Sequence, residues 1–186
     1  MKVSESPLSG VFIIEPEVYG DDRGFFFESY NGNEMKKNNL CTTWIQDNHS
    51  RSAKNVLRGL HWQIGDSAQD KLVRVVSGAV FDVTLDIRRS SKTFGKWFGI
   101  ELTATNKKQL LVSKGFAHGF LTLENNCEFL YKCSSYYSPL DERGVSWNDP
   151  EIGILWPISD KSQLILSARD RKWPPLNAIN LTDLFP

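Results

Sequence analysis

The chain is 186 residues long, enough for one domain with a full core. Its 22 basic and 22 acidic side chains cancel to a formal net charge of +0, so no global field draws in nucleic acid or an anionic membrane, and any anionic ligand must be held by local Arg and Lys. No stretch approaches the roughly 20 apolar residues of a membrane span or forms a signal-peptide core, and the 3 cysteines (Cys41, Cys127, Cys133) make no CxxC pair, which argues against a zinc knuckle or disulfide framework and for a reducing, cytoplasmic compartment.

Short strands dominate the reading in chain order. Residues 11–15 form a strand, and a turn at Gly20-Asp21-Asp22 leads into a second over 23–29. Residues 31–40 are the best helix candidate, short and polar, with Asn38-Asn39 near the end. Strands are expected over 42–48, 55–63, 71–76, 78–87, 96–102, 109–113, 116–123 and 128–136. Ser77-Gly78 and Lys114-Gly115 mark turns between them. Turns every eight to twelve residues predict a mainly all-β sandwich or barrel with a few short helices. Beyond Pro139, Asp141-Glu142-Arg143-Gly144 reads as a polar loop, and residues 181–184 as one helical turn. The tail over 150–186 has too few apolar residues for a core of its own, so residues 1–186 are expected to be a single domain.

One strand carries more information. In residues 80–88, Phe81, Val83, Leu85 and Ile87 share one face, and Asp82, Thr84, Asp86 and Arg88 the other. The polar face is either solvated or lines a polar cavity; periodicity is compatible with both.

Arg58-Gly59-Leu60-His61 joins a permanent cation suited to phosphate with an imidazole suited to proton transfer, around a glycine that permits close approach. The other histidines are His49 and His118, the latter in Gly115-Phe116-Ala117-His118-Gly119. Barrel proteins of the cupin type often bind metal through an HxH pair; here the stretch is His61-Trp62-Gln63, so the second ligand is missing and no metal is expected. There is no GxSxG elbow and no glycine-rich phosphate loop. What is left is acid/base chemistry without a cofactor, which needs a base, an acid on another face of the substrate and a cation for a developing oxyanion. His61, Tyr131 and Lys71 are of the right types. The bland alternatives are a surface pairing of Arg23 with Asp21 or Glu28, core roles for Tyr131 and Tyr137, and Asp170 capping a turn before Trp173.

In order and spacing, DRGFFFE (22–28), QDNHS (46–50), VLRGLHWQ (56–63), KLVR (71–74), VFDVTLDIR (80–88), GFAHGF (115–120), YK (131–132), YYSP (136–139), WNDP (147–150) and SARD (167–170) resemble the dTDP-4-dehydrorhamnose 3,5-epimerase family over about residues 10–175. The resemblance implies a cupin-type antiparallel β-barrel or jelly roll, a homodimer, no metal and no cofactor. It implies inversion of C3 and C5 of dTDP-4-dehydro-6-deoxy-D-glucose. By similarity His61 is the general base, Asp170 its carboxylate partner, Lys71 the cation near the C4 oxygen, Tyr131 the acid on the opposite face and His118 a substrate-binding histidine. Arg23 and Arg58 are implied for the diphosphate, Gln46, Asp47 and Asn48 for the thymidine region and Tyr137 for stacking on thymine. Glu28, Glu142 and Arg169 complete the matching positions, with Arg169 standing where members often have Lys. In the family the N-terminal strands cross to the dimer partner, so Arg23 and Glu28 are expected to serve the neighbouring site, and residues 150–186 to pack on the barrel as an extension. Inversion at C3 or C5 alone, or sugar-nucleotide binding without catalysis, are the alternatives.

Overall fold

Alternating side chains give each strand two faces, and in this chain both faces are used. The computed structural model describes residues 1–40 and 43–186. The strands, in chain order, are β1 (Lys2–Glu5), β2 (Val11–Glu15), β3 (Tyr19–Asp21), β4 (Gly24–Phe26), β5 (Gln46–Ser52), β6 (Leu57–Gln63), β7 (Lys71–Ser77), β8 (Ala79–Asp86), β9 (Trp97–Thr103), β10 (Gln109–Val112), β11 (Phe116–Thr122), β12 (Cys127–Cys133) and β13 (Glu142–Gly144). One sheet has the order β1-β2-β10-β7-β12-β5 and the other β13-β6-β11-β8-β9, all antiparallel, while β3 and β4 form a separate hairpin. This is the jelly-roll barrel expected from the strand pattern and the resemblance.

Three apolar layers hold it. Between the sheets, Val73, Val75, Leu110 and Phe129 meet Val80, Leu102, Phe116 and Phe120. Outside the five-stranded sheet, Leu57, Leu60, Val83 and Leu85 are covered by Ile152, Trp156, Leu164 and Leu184 of the C-terminal segment. Outside the six-stranded sheet, Ile14, Leu72 and Leu111 lie beneath Met35 and Leu40. Each large apolar side chain so buried contributes about 1.5–3 kcal/mol. The alternation on β8 is thereby resolved. Its apolar face packs under the C-terminal segment, and Asp82, Thr84 and Asp86 are fully buried on the inner side.

Several elements differ from the sequence reading. The helix α1 is shorter than 31–40, spanning Gly32–Lys37, with the Asn31 side chain accepting from the backbone N–H groups of Asn33 and Glu34. The strand expected over 42–48 runs Gln46–Ser52, and its expected start at Thr42 lies outside the described residues, as does Cys41. This polar stretch has weak strand propensity and is held by seven register pairs with β12. The polar loop expected at 141–144 contains β13, which pairs Glu142 with Gln63, Arg143 with Trp62 and Gly144 with His61. Three polar residues carry no period-2 signal; the open edge of β6 makes them a strand. The strand expected over 23–29 shrinks to β4, whose Phe25 and Phe26 are exposed.

Candidate active site

A β-bulge places the first two functional side chains. Residues three apart on a regular strand face opposite sides. Between β6 and β11 the register runs from His61 opposite His118 to Arg58 opposite Phe120, so β6 spends three residues where β11 spends two. Arg58 and His61 therefore both face the space between the sheets, while Leu57 and Leu60 face the outer core. The bulge requires Gly59: its φ is +121°, and a Cβ there would sit 2.5 Å from Gly119 Cα.

These side chains open onto a cavity of about 390 Å³ between the sheets. The five-stranded sheet supplies Arg58, His61, Gln63 and His118 to its lining, and β13 supplies Glu142. The six-stranded sheet supplies Gln46, Asn48 and Ser50 from β5, Lys71 from β7, and Phe129, Tyr131 and Cys133 from β12. Register aligns them in rows across the strands of this one sheet: Cys133 is opposite both Lys71 and Gln46, and Tyr131 is opposite Asn48. His61 thus stands on one wall and Lys71 and Tyr131 on the facing wall.

The Nε2 of His61 lies 2.5 Å from Asp170 Oδ1, although the residues are 109 positions apart. With Nε2–H given to Asp170, the lone pair of the neutral ring is on Nδ1. Asp170 is only 4% exposed, and its backbone N–H donates to Ser167 Oγ at 3.0 Å. Trp173 Nε1 donates to Asp170 Oδ1 at 3.4 Å, and its ring meets the His61 ring edge-on at 5.9 Å. Burial pushes the Asp170 carboxyl up, but the His61 hydrogen bond and charge, with Ser167 and Trp173, outweigh it and hold the carboxyl below its ordinary value.

Burial lowers the Lys71 ammonium from its ordinary value; Cys133, Glu142 and Asp82 oppose that shift only in part. No hydrogen bond or ion pair among the described residues engages its Nζ, so the charge faces the cavity. Burial raises the Tyr131 phenol, with Cys133, Glu142 and Tyr137 adding to the rise and Arg58 opposing it. A buried cation is suited to a negative charge that forms only during reaction, and a phenol kept protonated by burial can donate to it once it forms.

At the cavity mouth, Glu142 Oε2 accepts from the Tyr137 hydroxyl at 3.0 Å and contacts Arg169 Nη1, which also donates to the Tyr137 oxygen at 3.2 Å. Gln46 Oε1 accepts from Tyr137 N at 3.0 Å, and Gln63 Oε1 from Ser138 N at 2.6 Å. Two cavity glutamines therefore hold the loop that carries Tyr137. Arg58 donates through Nε and Nη2 to Ser52 Oγ at 3.2 and 3.1 Å.

Of the residues picked from the sequence, His61, Asp170, Lys71, Tyr131, Gln46, Asn48, Arg58, His118, Tyr137, Glu142 and Arg169 line this one cavity. Three do not. Asp47 alternates to the outer face of β5 and pairs with Lys132 at 3.0 Å. Arg23 is on the hairpin turn paired with Asp21, and Glu28 accepts from Asn31 Nδ2 at 3.0 Å beside a separate groove. The surface pairing of Arg23 with Asp21 is the bland alternative, and within one chain it is the arrangement found.

The sequence reading did not assign Asp82, whose carboxylate holds His118 Nε2 at 2.8 and 3.0 Å and is fully buried. Its place on the polar face of β8 was the available signal. Gln63, Ser167, Cys133 and Trp173 were also unassigned; Gln63 and Ser167 lie within the matching stretches VLRGLHWQ and SARD, while nothing in the local sequence distinguishes Cys133 and Trp173. Each active-site imidazole has its own carboxylate, and among the described residues no group of three His, Cys, Asp or Glu side chains is placed to hold a metal ion.

Residues 5–178 match the family model described as dTDP-4-dehydrorhamnose 3,5-epimerase. The dTDP-4-dehydrorhamnose 3,5-epimerase of Salmonella typhimurium is 52% identical over 184 residues, 98% of this chain and 100% of that one. The dTDP-6-deoxy-D-glucose-3,5-epimerase of Legionella pneumophila, solved in complex with dTDP-4-keto-L-rhamnose, superposes with a TM-score of 0.94 at 43% identity, covering 99% of this chain and 97% of that one. The Bacillus anthracis dTDP-4-dehydrorhamnose 3,5-epimerase, solved with TDP and PPi bound, gives 0.89 at 45% identity over 94% of this chain and 98% of that one.

Proposed function

We propose a division of labour between two cavity walls for this chain, which belongs to the dTDP-4-dehydrorhamnose 3,5-epimerase family. It is an isomerase of that family, and its substrate is a dTDP-linked 4-keto-6-deoxy sugar whose C3 and C5 are inverted. Both carbons are α to the C4 ketone, so loss of either proton gives an enolate. His61 removes the proton through Nδ1, and Asp170 stabilises the imidazolium as it forms. Lys71 faces the C4 oxygen and stabilises the enolate, an effect of about 3 kcal/mol by analogy with a single oxyanion donor. Tyr131 returns a proton from the opposite side. A phenol is a sufficient acid because the enolate carbon is strongly basic.

The observation that carries this reading is the placement of the His61–Asp170 couple on one wall and Lys71 and Tyr131 on the facing wall of one cavity. Inversion needs an acid and a base on two sides of the ring. The test is turnover in deuterated water. Label at both C3 and C5 of the product supports the reading; label at one carbon restricts the chain to a single epimerisation, and no label makes it a binding protein.

The nucleotide part is held at the mouth. Arg58 binds the diphosphate, Tyr137 stacks on thymine, an interaction of about 1–3 kcal/mol, and Gln46, Asn48, His118, Glu142 and Arg169 complete the binding surface. The chain works as a homodimer in which the β3–β4 hairpin reaches the neighbouring cavity with Arg23 and Glu28. Supporting this are the exposed Phe25 and Phe26 on a hairpin that pairs with neither sheet. Sedimentation would give a dimer, and Phe25→Ser with Phe26→Ser a monomer. The cytoplasm is the compartment where a nucleotide-sugar substrate and the free buried thiols of Cys127 and Cys133 are both expected.

A further inference from the structure

Two inversions on one sugar raise a proton-balance problem that a single inversion does not. After the first, His61 has gained a proton and Tyr131 has lost one. Neither is ready for the second carbon until that proton has moved. The Asp170 side of the imidazole is no exit, because Nε2–H is already donated there at 2.5 Å. The other nitrogen, which receives the substrate proton, looks toward a second carboxylate: His61 Nδ1 lies 4.0 Å from Glu142 Oε1. The side chain of Glu142 is 9% exposed. Its Oε2 is occupied by Tyr137 and Arg169, whereas Oε1 takes no hydrogen bond among the described residues.

We propose that Glu142 resets the catalytic pair between the two inversions, carrying the proton from the His61 imidazolium back toward the Tyr131 phenolate. The N–H bond at Nδ1 breaks as an O–H bond forms on Oε1, leaving a neutral imidazole and a carboxylic acid. That O–H then breaks, and solvent water in the open cavity relays the proton to the phenolate oxygen. The carboxylate and phenol are regenerated, and nothing is oxidised or reduced. A 4.0 Å gap has to close by about 1 Å for the first transfer, within the tightening that acid/base contacts undergo when a ligand is bound. Glu142 is also near enough to Tyr131 for its charge to act on the phenol, alongside the larger effects of burial and Cys133, which raise it, and of Arg58, which lowers it. Arg169 and Tyr137 fix the carboxylate through its other oxygen, so Oε1 is held in place for this task.

The inference rests on the epimerase reading above, and the test separates the two. In deuterated water the wild-type enzyme gives doubly labelled product; if it labels neither carbon, the epimerase reading fails and the reset falls with it. In Glu142→Gln, first exchange continues at reduced rate while the second lags further, so singly inverted, singly labelled sugar accumulates by roughly a hundredfold over wild type, the low end of a lost acid/base group. Added formate or acetate, small carboxylates that fit the open cavity, restores the second exchange. Glu142→Asp, which keeps the carboxylate but draws it back by one methylene, accumulates the intermediate to a lesser extent. Equal slowing of both exchanges in both variants, with no response to formate, overturns the proposal and leaves Glu142 a binding residue.

Discussion

Replacing Asp170 by Asn tests the catalytic couple with little change of shape. The carboxylate is 4% exposed, accepts from His61 at 2.5 Å and is held by Trp173 and its own backbone contact to Ser167. An asparagine keeps the volume but offers no charge. If its amide nitrogen faces His61, Nε2 must accept, the ring proton moves to Nδ1, and the base loses its reacting lone pair. The corresponding change in a Ser-His-Asp triad lowers kcat about 10⁴-fold, or about 5.4 kcal/mol at 1.36 kcal/mol per tenfold. The expected result is a loss of that order in kcat for deuterium incorporation at both carbons, with dTDP affinity within a few-fold of wild type. Stability supplies a second readout. Because the folded Asp170 carboxyl lies below its ordinary value, its contribution is present above the unfolded value of about 3.9 and is lost as pH falls through the folded one. In Asp170→Asn this part of the acid-side loss of stability disappears. A kcat within tenfold of wild type would refute the assignment of the couple.

Four further outcomes follow from the same geometry. Tyr131→Phe removes the acid but not the base, so inversion falls by about 10²–10⁴-fold while His61 still exchanges substrate protons with solvent on its own side; parallel loss of exchange and inversion argues against separate walls. Lys71 is lowered by burial, so the rate declines on the alkaline side below the ordinary lysine value of about 10.4, and Lys71→Arg moves that limb upward because a guanidinium stays charged; an unmoved limb assigns it to another group. Tyr137→Ala raises KM by about 1–3 kcal/mol of lost stacking with a smaller effect on kcat, checked by dTDP titration. Gly59→Ala places a Cβ 2.5 Å from Gly119 Cα at a φ of +121°, so thermal unfolding shifts down by at least several degrees, and Arg58 and His61 lose their common facing.

Where strand pattern carried the signal, the fold was legible. β2, β7, β8, β10 and β11 lie within a residue or two of the runs read from alternation and turn residues, because each has an apolar face that must be buried. β5 and β13 were misplaced or missed because their residues are polar and their pairing depends on an exposed edge far away in sequence. Asp47 shows the same limit at a single residue. The polar triplet at 46–48 was read as one unit, but a strand turns its middle member away from the cavity.

The residue types needed for proton transfer, and the Arg58–Gly59–Leu60–His61 run that supplies two of the cavity's side chains, are properties of the linear chain. Their joint facing is not. Three-residue spacing points Arg58 and His61 to opposite sides until a bulge against β11 rotates one of them. The 109-position gap between His61 and Asp170, and the confrontation of both with Lys71 and Tyr131 across two sheets, arise only when the C-terminal segment packs on the barrel and the sheets close over each other. Chemical identity is local to a residue, whereas distance and direction between residues are set by the packing of the whole.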